Sequence, residues 1–300
     1  MYEQWIIALL VAPLVIAFES FALRGTKNRT VCTAFHITGL ILMLFFSVQV
    51  ISGVLEKGSI SAFNNWVYVD SLSAIFLGLI AVVGSLAGVY SIGYMNTELE
   101  EGHIDFKTYA HYHGFLHLFF FTMIVSVITN NLILMWVAIE ATTLSSAFLV
   151  GTYKQKTSLE AAWKYIIICS VGVAFGLYGT LLTFANANGV LADPSQAIFW
   201  SAVNQQATGL NPMLMYIAFA FVLIGFGTKC GLFPMHTWLS DAHSEAPSPV
   251  SAILSAVLLN CAMLVVLRYY ILVSKAVGAE FPQTLMLIFG LLSVLVAALF

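Results

Sequence analysis

The chain has 300 residues, of which 60% are hydrophobic and 8% charged, with a net charge of −3. Soluble domains carry about 25% charged residues, so this chain lacks the polar surface to face water and reads as an all-α polytopic membrane protein. With so few charges, and no basic stripe with interleaved aromatics, a nucleic-acid partner is excluded.

A bilayer crossing of ~30 Å takes about 20 helical residues. That ruler predicts a first helix at 5–23. It is a retained helix rather than a cleavable signal, because no basic segment precedes it. The apolar run also leads through Glu19 to Arg24 without a small-residue cleavage site. Further helices are predicted at 31–54, 70–94, 114–130, 131–152, 159–186, 213–238, 249–273 and 283–300. Asn130-Asn131 alone separates the fourth and fifth, which makes them a tight antiparallel pair. Gly84/Gly88 and Gly172/Gly176 have the spacing that lets membrane helices approach closely.

Arg24, Lys27, Arg29, Lys107, Lys154 and Lys156 fall in loops on one side, and Lys57, Arg268 and Lys275 on the other. The excess of positive charge puts the N-terminus outside and the first loop in the cytoplasm. Leu285 to Phe300 is an apolar run of ~24 Å as helix that stops without a polar flank, so the chain is expected to be cut off inside the ninth helix. Cys32, Cys169, Cys230 and Cys261 are scattered, with no CxxC pairing for a disulfide framework, zinc or an iron–sulfur cluster.

Three ionisable residues lie inside the apolar spans: Glu140, Lys164 and Lys229. Charge near the bilayer centre costs roughly 2.5–3.5 kcal/mol per residue, so such groups are functional candidates. Glu140 lies ~13 Å deep from the outer turn and Lys164 ~8 Å from the other side. In a ~30 Å layer their heights differ by about 8 or 9 Å, so neighbouring helices could bring them together directly or through water. Burial disfavours the charge on each and mutual attraction restores it, so the pair would be switchable. A static ion pair that fixes helix register is the alternative.

Lys229 stands in Gly225-Phe-Gly227-Thr-Lys229-Cys-Gly231-Leu-Phe-Pro234-Met-His236. Pro234 cannot donate to the carbonyl of Cys230, so the seventh helix should break beside the lysine. The three glycines are expected to leave room for water, and freed carbonyls at a broken helix line a cavity. His236 shares the lysine's face if the helix resumes. In the following stretch, Asp241, His243 and Glu245 either link the lysine to the cytoplasmic face or form an ordinary solvated loop. His111, His113 and His117 cluster at the fourth helix, where an interfacial group is favoured over a metal site because no fourth ligand is evident. His36 stands alone among apolar residues and reads as hydrogen-bonded packing. Glu19 and Arg268, near helix ends, should snorkel. Gly227-Thr-Lys229 is not a phosphate loop, since GxxxxGK[ST] is absent.

The segments WVAIEATTLSSAFLVG, EAAWKYIIICSVG and GTKCGLFPMHTWLSDAHSEAPSPVSAILSAVLLNCA resemble the proton-translocating antiporter-like membrane subunits of complex I, Mrp antiporters and hydrogenase-4-type complexes. The resemblance implies a bundle of about fourteen spans with two inverted five-helix repeats, each with a broken helix. It divides this chain into helices one to three at 1–110, the first repeat (helices four to eight) at 111–273, and the start of helix nine at 274–300. By motif position the resemblance matches Glu140 to the family's modulating helix-five glutamate, Lys164 to its helix-six lysine, and Lys229 to its broken-helix lysine that gains and loses the proton. His236 and His243 follow the break. Many relatives carry a lysine in helix eight where this sequence has Asn260, which can hydrogen-bond water but cannot hold a transferable charge. Asn260 and Asp241 are therefore at most relay groups.

The implied function is a non-redox, proton-translocating subunit of a hydrogenase or complex I-like assembly in the inner membrane. No cofactor is expected in this chain; nickel–iron and iron–sulfur centres would belong to partner subunits of the membrane arm and a peripheral hydrogenase-like or dehydrogenase arm. A cation/proton antiporter component without redox partners is the alternative, and a purely structural subunit is the third reading.

Overall fold

The computed structural model describes residues 2–26 and 28–299, and among them nine helical segments are long and apolar enough to cross a membrane. Lys27, used in the charge count above, and Phe300, the last residue of the expected ninth helix, lie outside the described residues. The crossings are α1 (Tyr2–Ala22), α2 (Arg29–Lys57), α3 (Ser71–Glu100), α4 (Phe106–Ile128), α5 (Leu132–Val150) and α6 (Lys156–Asn188). A short helix α7 (Trp200–Gln205) precedes α8 (Pro212–Cys230), and α9 (Trp238–Glu245) follows it. The next crossing is composite: α10 (Ser248–Ile253), a π-helical stretch at Leu254–Leu258, and α11 (Leu259–Val277). The last is α12 (Glu280–Leu299).

Short polar side chains start these helices. Asn28, Asp70, Asp105, Asn131 and Asn211 each accept from a backbone N–H of the first turn, which satisfies donors that a helix start leaves free. Asp105 explains why α4 begins at Phe106 and not at residue 114. Its first two turns carry Lys107, Thr108 and His111, a polar set that reads as loop, yet Tyr109, Tyr112 and His113 on them are buried.

A two-stranded hairpin, β1 (Ser59–Ala62) and β2 (Val67–Asp70), joins α2 to α3 and was not anticipated. It helps to close the face opposite the Arg24–Arg29 loop. Asn130 donates from Nδ2 to the carbonyl of Asn65 and to Ser201 Oγ, each at 2.8 Å, and its backbone N–H reaches the carbonyl of Trp66.

Arg268 corrects an expectation on the same face. It does not snorkel: it is 2% exposed and holds Asp70 with two bonds of 2.6 and 2.7 Å, adds Ser73 Oγ at 2.8 Å, and lies 4.3 Å from the Trp200 ring centroid. Burial pushes the Asp70 carboxyl up, but the Arg268 hydrogen bonds and charge outweigh it and hold Asp70 below its ordinary value.

The helix carrying Lys229 packs against α6 along a glycine seam. A Cβ on Gly225 would run into the backbone of Gly176, and one on Gly172 would meet the Thr228 side chain. The seam corrects the expectation that Gly225 opens room for water: Gly176 fills the space beside it.

Candidate functional site

Helix α8 ends at Cys230, not at 238. Gly231 takes the left-handed conformation (φ 75°), its N–H bonds back into the last turn, and the Leu232 N–H bonds the carbonyl of Gly227. A side chain at Gly231 would be strained, so glycine supplies the stop and Pro234 lies beyond it in the loop. The break leaves Lys229 one residue from the helix end, facing inward.

Lys229 is fully buried. Its Nζ donates to Thr143 Oγ1 of α5 at 2.7 Å and to Tyr165 OH of α6 at 2.5 Å. It also sits 4.5 Å from the centroid of the Tyr165 ring and 5.9 Å from that of Trp238. Trp238 Nε1 is anchored on the carbonyl of Thr228 at 2.9 Å, so the ring is fixed beside the lysine. Tyr165 OH continues to Ser146 Oγ at 2.7 Å, and Ser146 donates to the carbonyl of Thr142. No carboxylate pairs with Lys229 among the described residues. Hydroxyl acceptors and ring faces accommodate an ammonium, and the same hydroxyls can hold a neutral amine, so both protonation states fit one geometry.

Glu140 and Lys164 do not meet. Glu140 Oε1 accepts from Ser170 Oγ at 2.5 Å, and its buried Oε2 has no partner among the described residues. Glu140 lies one turn from Thr143, the α5 hydroxyl that Lys229 reaches. Lys164 has a 49% exposed side chain that pairs with Glu160 at 2.8 Å and Asp241 at 3.1 Å. Ser170 lies six residues beyond Lys164, which at about 100° and 1.5 Å per residue places the lysine ~9 Å away along α6 and on another face. A height difference that the side chains could span did not bring them to one face.

His236 and His243 lie at the face bearing the Arg24–Arg29 loop, and Asn260 lies within a crossing. His236 lies in the loop after α8, since no helix resumes before Trp238. Its buried Nδ1 has no partner, and it borders a cleft of about 720 Å³ with Gly231, Phe233, Leu239 and Ser293. His243 on α9 bonds Ser251 Oγ at 2.7 Å, and burial lowers its pKa. It opens on a second cleft of about 600 Å³ with Tyr94, Glu98, His103, Tyr153 and Glu245. Gly227 lies against Leu232. Asn260 donates to the carbonyl of Ala256 at 2.7 Å, inside the π-helical stretch. A π turn displaces such a carbonyl from its usual helical partner, so Asn260 satisfies backbone in this geometry.

Sequence reading missed Thr143, Tyr165, Ser170 and Trp238. Their signal was adjacency: Thr143 lies one turn from Glu140, and Tyr165 follows Lys164.

Comparisons with known proteins bear on the family and the fold. The family described as NADH:quinone oxidoreductase/Mrp antiporter, transmembrane, matches residues 129–300, and the complex I chain 5 N-terminal family matches residues 61–105. A hydrogenase-4 component F homolog of Methylacidiphilum infernorum is 42% identical over 231 residues, 77% of this chain and 48% of the relative. A Na(+)/H(+) antiporter subunit A1 of Staphylococcus aureus is 28% identical over 271 residues, 86% of this chain and 31% of the relative. The chain thus spans half or less of the length of these relatives. In structure it resembles a chain of the archaeal membrane-bound sulfane sulfur reductase, with a TM-score of 0.78 at 19% identity, covering 94% of this chain and 56% of that one. It also resembles a chain of Thermus thermophilus respiratory complex I, with a TM-score of 0.64 at 22% identity, covering 87% and 52%. The family match covers more than half the chain, which therefore belongs to the NADH:quinone oxidoreductase/Mrp antiporter transmembrane family.

Proposed function

We propose that this chain works in a proton-translocating membrane subunit of a hydrogenase or complex I-like respiratory assembly in the inner membrane, N-terminus outside. The observation that carries the reading is Lys229: a fully buried amine held by two hydroxyls and ring faces, with no carboxylate partner among the described residues. Lys229 takes and releases the proton. Glu140 sets the charge it feels, and a change at Glu140 driven by a neighbouring subunit tips the lysine between its two states. Lys164, Asp241, His236 and His243 form the access side, where the cleft beside His243 meets water. Redox energy, with its nickel–iron and iron–sulfur centres, belongs to partner subunits of the membrane arm and a peripheral arm.

The test is Lys229→Met in the assembled complex, reconstituted in vesicles. Partner redox turnover should continue while proton translocation is lost; translocation at full stoichiometry would sink the proposal. The 28% identity to a sodium/proton antiporter subunit favours a second reading, cation/proton exchange without redox partners. Sodium-dependent translocation in a complex lacking redox turnover would select it.

A further inference from the structure

Three imidazoles meet among α2 and α4, away from the lysine. His36, His113 and His117 are 0%, 0% and 1% exposed. The His36 ring lies 4.4 Å from that of His113 and 5.0 Å from that of His117, centroid to centroid. The sequence left His36 isolated because its partners lie far along the chain.

The hydrogen bonds dictate the tautomers. His36 Nε2 lies 2.9 Å from the carbonyl of Gly88, and a carbonyl only accepts, so this nitrogen carries a proton. In neutral His36, Nδ1 is then an acceptor, and at 2.9 Å it receives the N–H of His117 Nε2. His117 Nδ1 is thereby left as a bare lone pair, buried and without a partner. Both nitrogens of His113 are also buried and unpartnered, one a lone pair and the other an N–H. Buried ring nitrogens that only served packing would be satisfied. Two basic lone pairs in one buried cluster are a place to put a proton.

We propose that His36, His113 and His117 form a second buried proton-binding site, reached from the Arg24–Arg29 side past Tyr109. A proton delivered by water bonds to His117 Nδ1, making an imidazolium that His36 shares through the His36–His117 bond, or it bonds to the bare nitrogen of His113 and stays on that ring. Tyr109 is one turn from His113, ring centroids 4.7 Å apart, and its hydroxyl joins Thr33 Oγ1 at 2.9 Å and Asn96 Oδ1 at 3.1 Å. Thr33 and Asn96 are half-buried near the helix ends on that side. Gly39 clears the ring's seat, since a Cβ there would strike the His117 imidazole.

Other ligands fit poorly. Hard cations require oxygen donors, and imidazoles suit transition metals. Among the described residues, no group of His, Cys, Asp or Glu is arranged to hold a metal. Around the triad, α4 presents Tyr109 and Tyr112, α2 carries Cys32 and Arg29, α1 carries Glu19, and α3 carries Tyr94 and Glu98. None of these carboxylates hydrogen-bonds or pairs with the triad.

The experiment is infrared difference spectroscopy on the assembled complex with isotope-labelled histidine in this chain. It runs from about pH 4 to 9, around an imidazole's ordinary value of ~6.5. His117→Gln keeps an amide N–H for His36 but cannot hold a proton. It should remove an imidazole-to-imidazolium band beyond the loss of its own neutral-ring signal, out of the 7 histidines present. Tyr109→Phe keeps the ring and should slow appearance of the same band after a pH jump. Should His117→Gln fail to assemble, His113→Phe, which has no bond to lose, carries the test. Variant and parent spectra with the same imidazolium signal across the range would overturn the proposal.

Discussion

Lys229 and Arg268 are two basic side chains buried to nearly the same degree, with opposite company. Arg268 is gripped by both oxygens of Asp70, by Ser73 and by the face of Trp200. Lys229 has two hydroxyls and two rings. A buried cation with a bidentate carboxylate has one stable charge state, because removing either partner strands the other. A buried amine among hydroxyls has two. Burial therefore marks neither residue as functional; the charge of the partner does.

The sharpest way to break this comparison is to remove each cation. Arg268→Met should cost about 3–5 kcal/mol by leaving Asp70 alone, read as a drop in thermal stability of the detergent-solubilised complex. Smaller is Tyr165→Phe, which deletes one acceptor of the lysine. The loss of about 1.5–3 kcal/mol for a hydrogen bond to a charged group should slow translocation roughly tenfold to a hundredfold, with turnover of partner subunits intact. Smaller again is the stability effect of Lys229→Met, within about 1.5 kcal/mol because the swap is nearly isosteric. If that variant unfolds as Arg268→Met does, the contrast fails.

The least effect concerns pH. Asp70 is held below its usual value of ~3.9, so its contribution is fully present above that value. It is lost as pH falls through the depressed folded value. Stability from this pair should stay flat between about pH 5 and 8 and fall only in acid, and Asp70→Asn should flatten that acid limb.

Much of the architecture was legible because length and hydropathy alone define a membrane crossing. The nine crossings were found within a few residues at most ends. The misses have physical causes: Asp105 extends α4 through a polar-looking first turn, and the hairpin at 59–70 is too short to announce itself. Gly231, rather than Pro234, stops α8. The site was legible as buried charge but not as contacts. Depth along a helix can be counted from sequence, whereas the direction a side chain takes depends on how helices roll against one another. That is why Lys164 was matched to Glu140 and instead reaches Asp241, and why His36 read as solitary. Hydroxyl residues are common in these spans, so adjacency to Glu140 and Lys164 was the one mark on Thr143 and Tyr165, and it did not point to Lys229.

The contact of Gly176 with Gly225 has a mechanical consequence. Where two backbones touch with no side chain between them, neither helix can roll without separating from the other. The shaft bearing Lys229 is thus clamped, and any travel of its charge is the swing of a flexible four-carbon arm on a fixed pivot. A larger residue at Gly225 would unseat that bearing and blunt the stroke while leaving every titratable group in place.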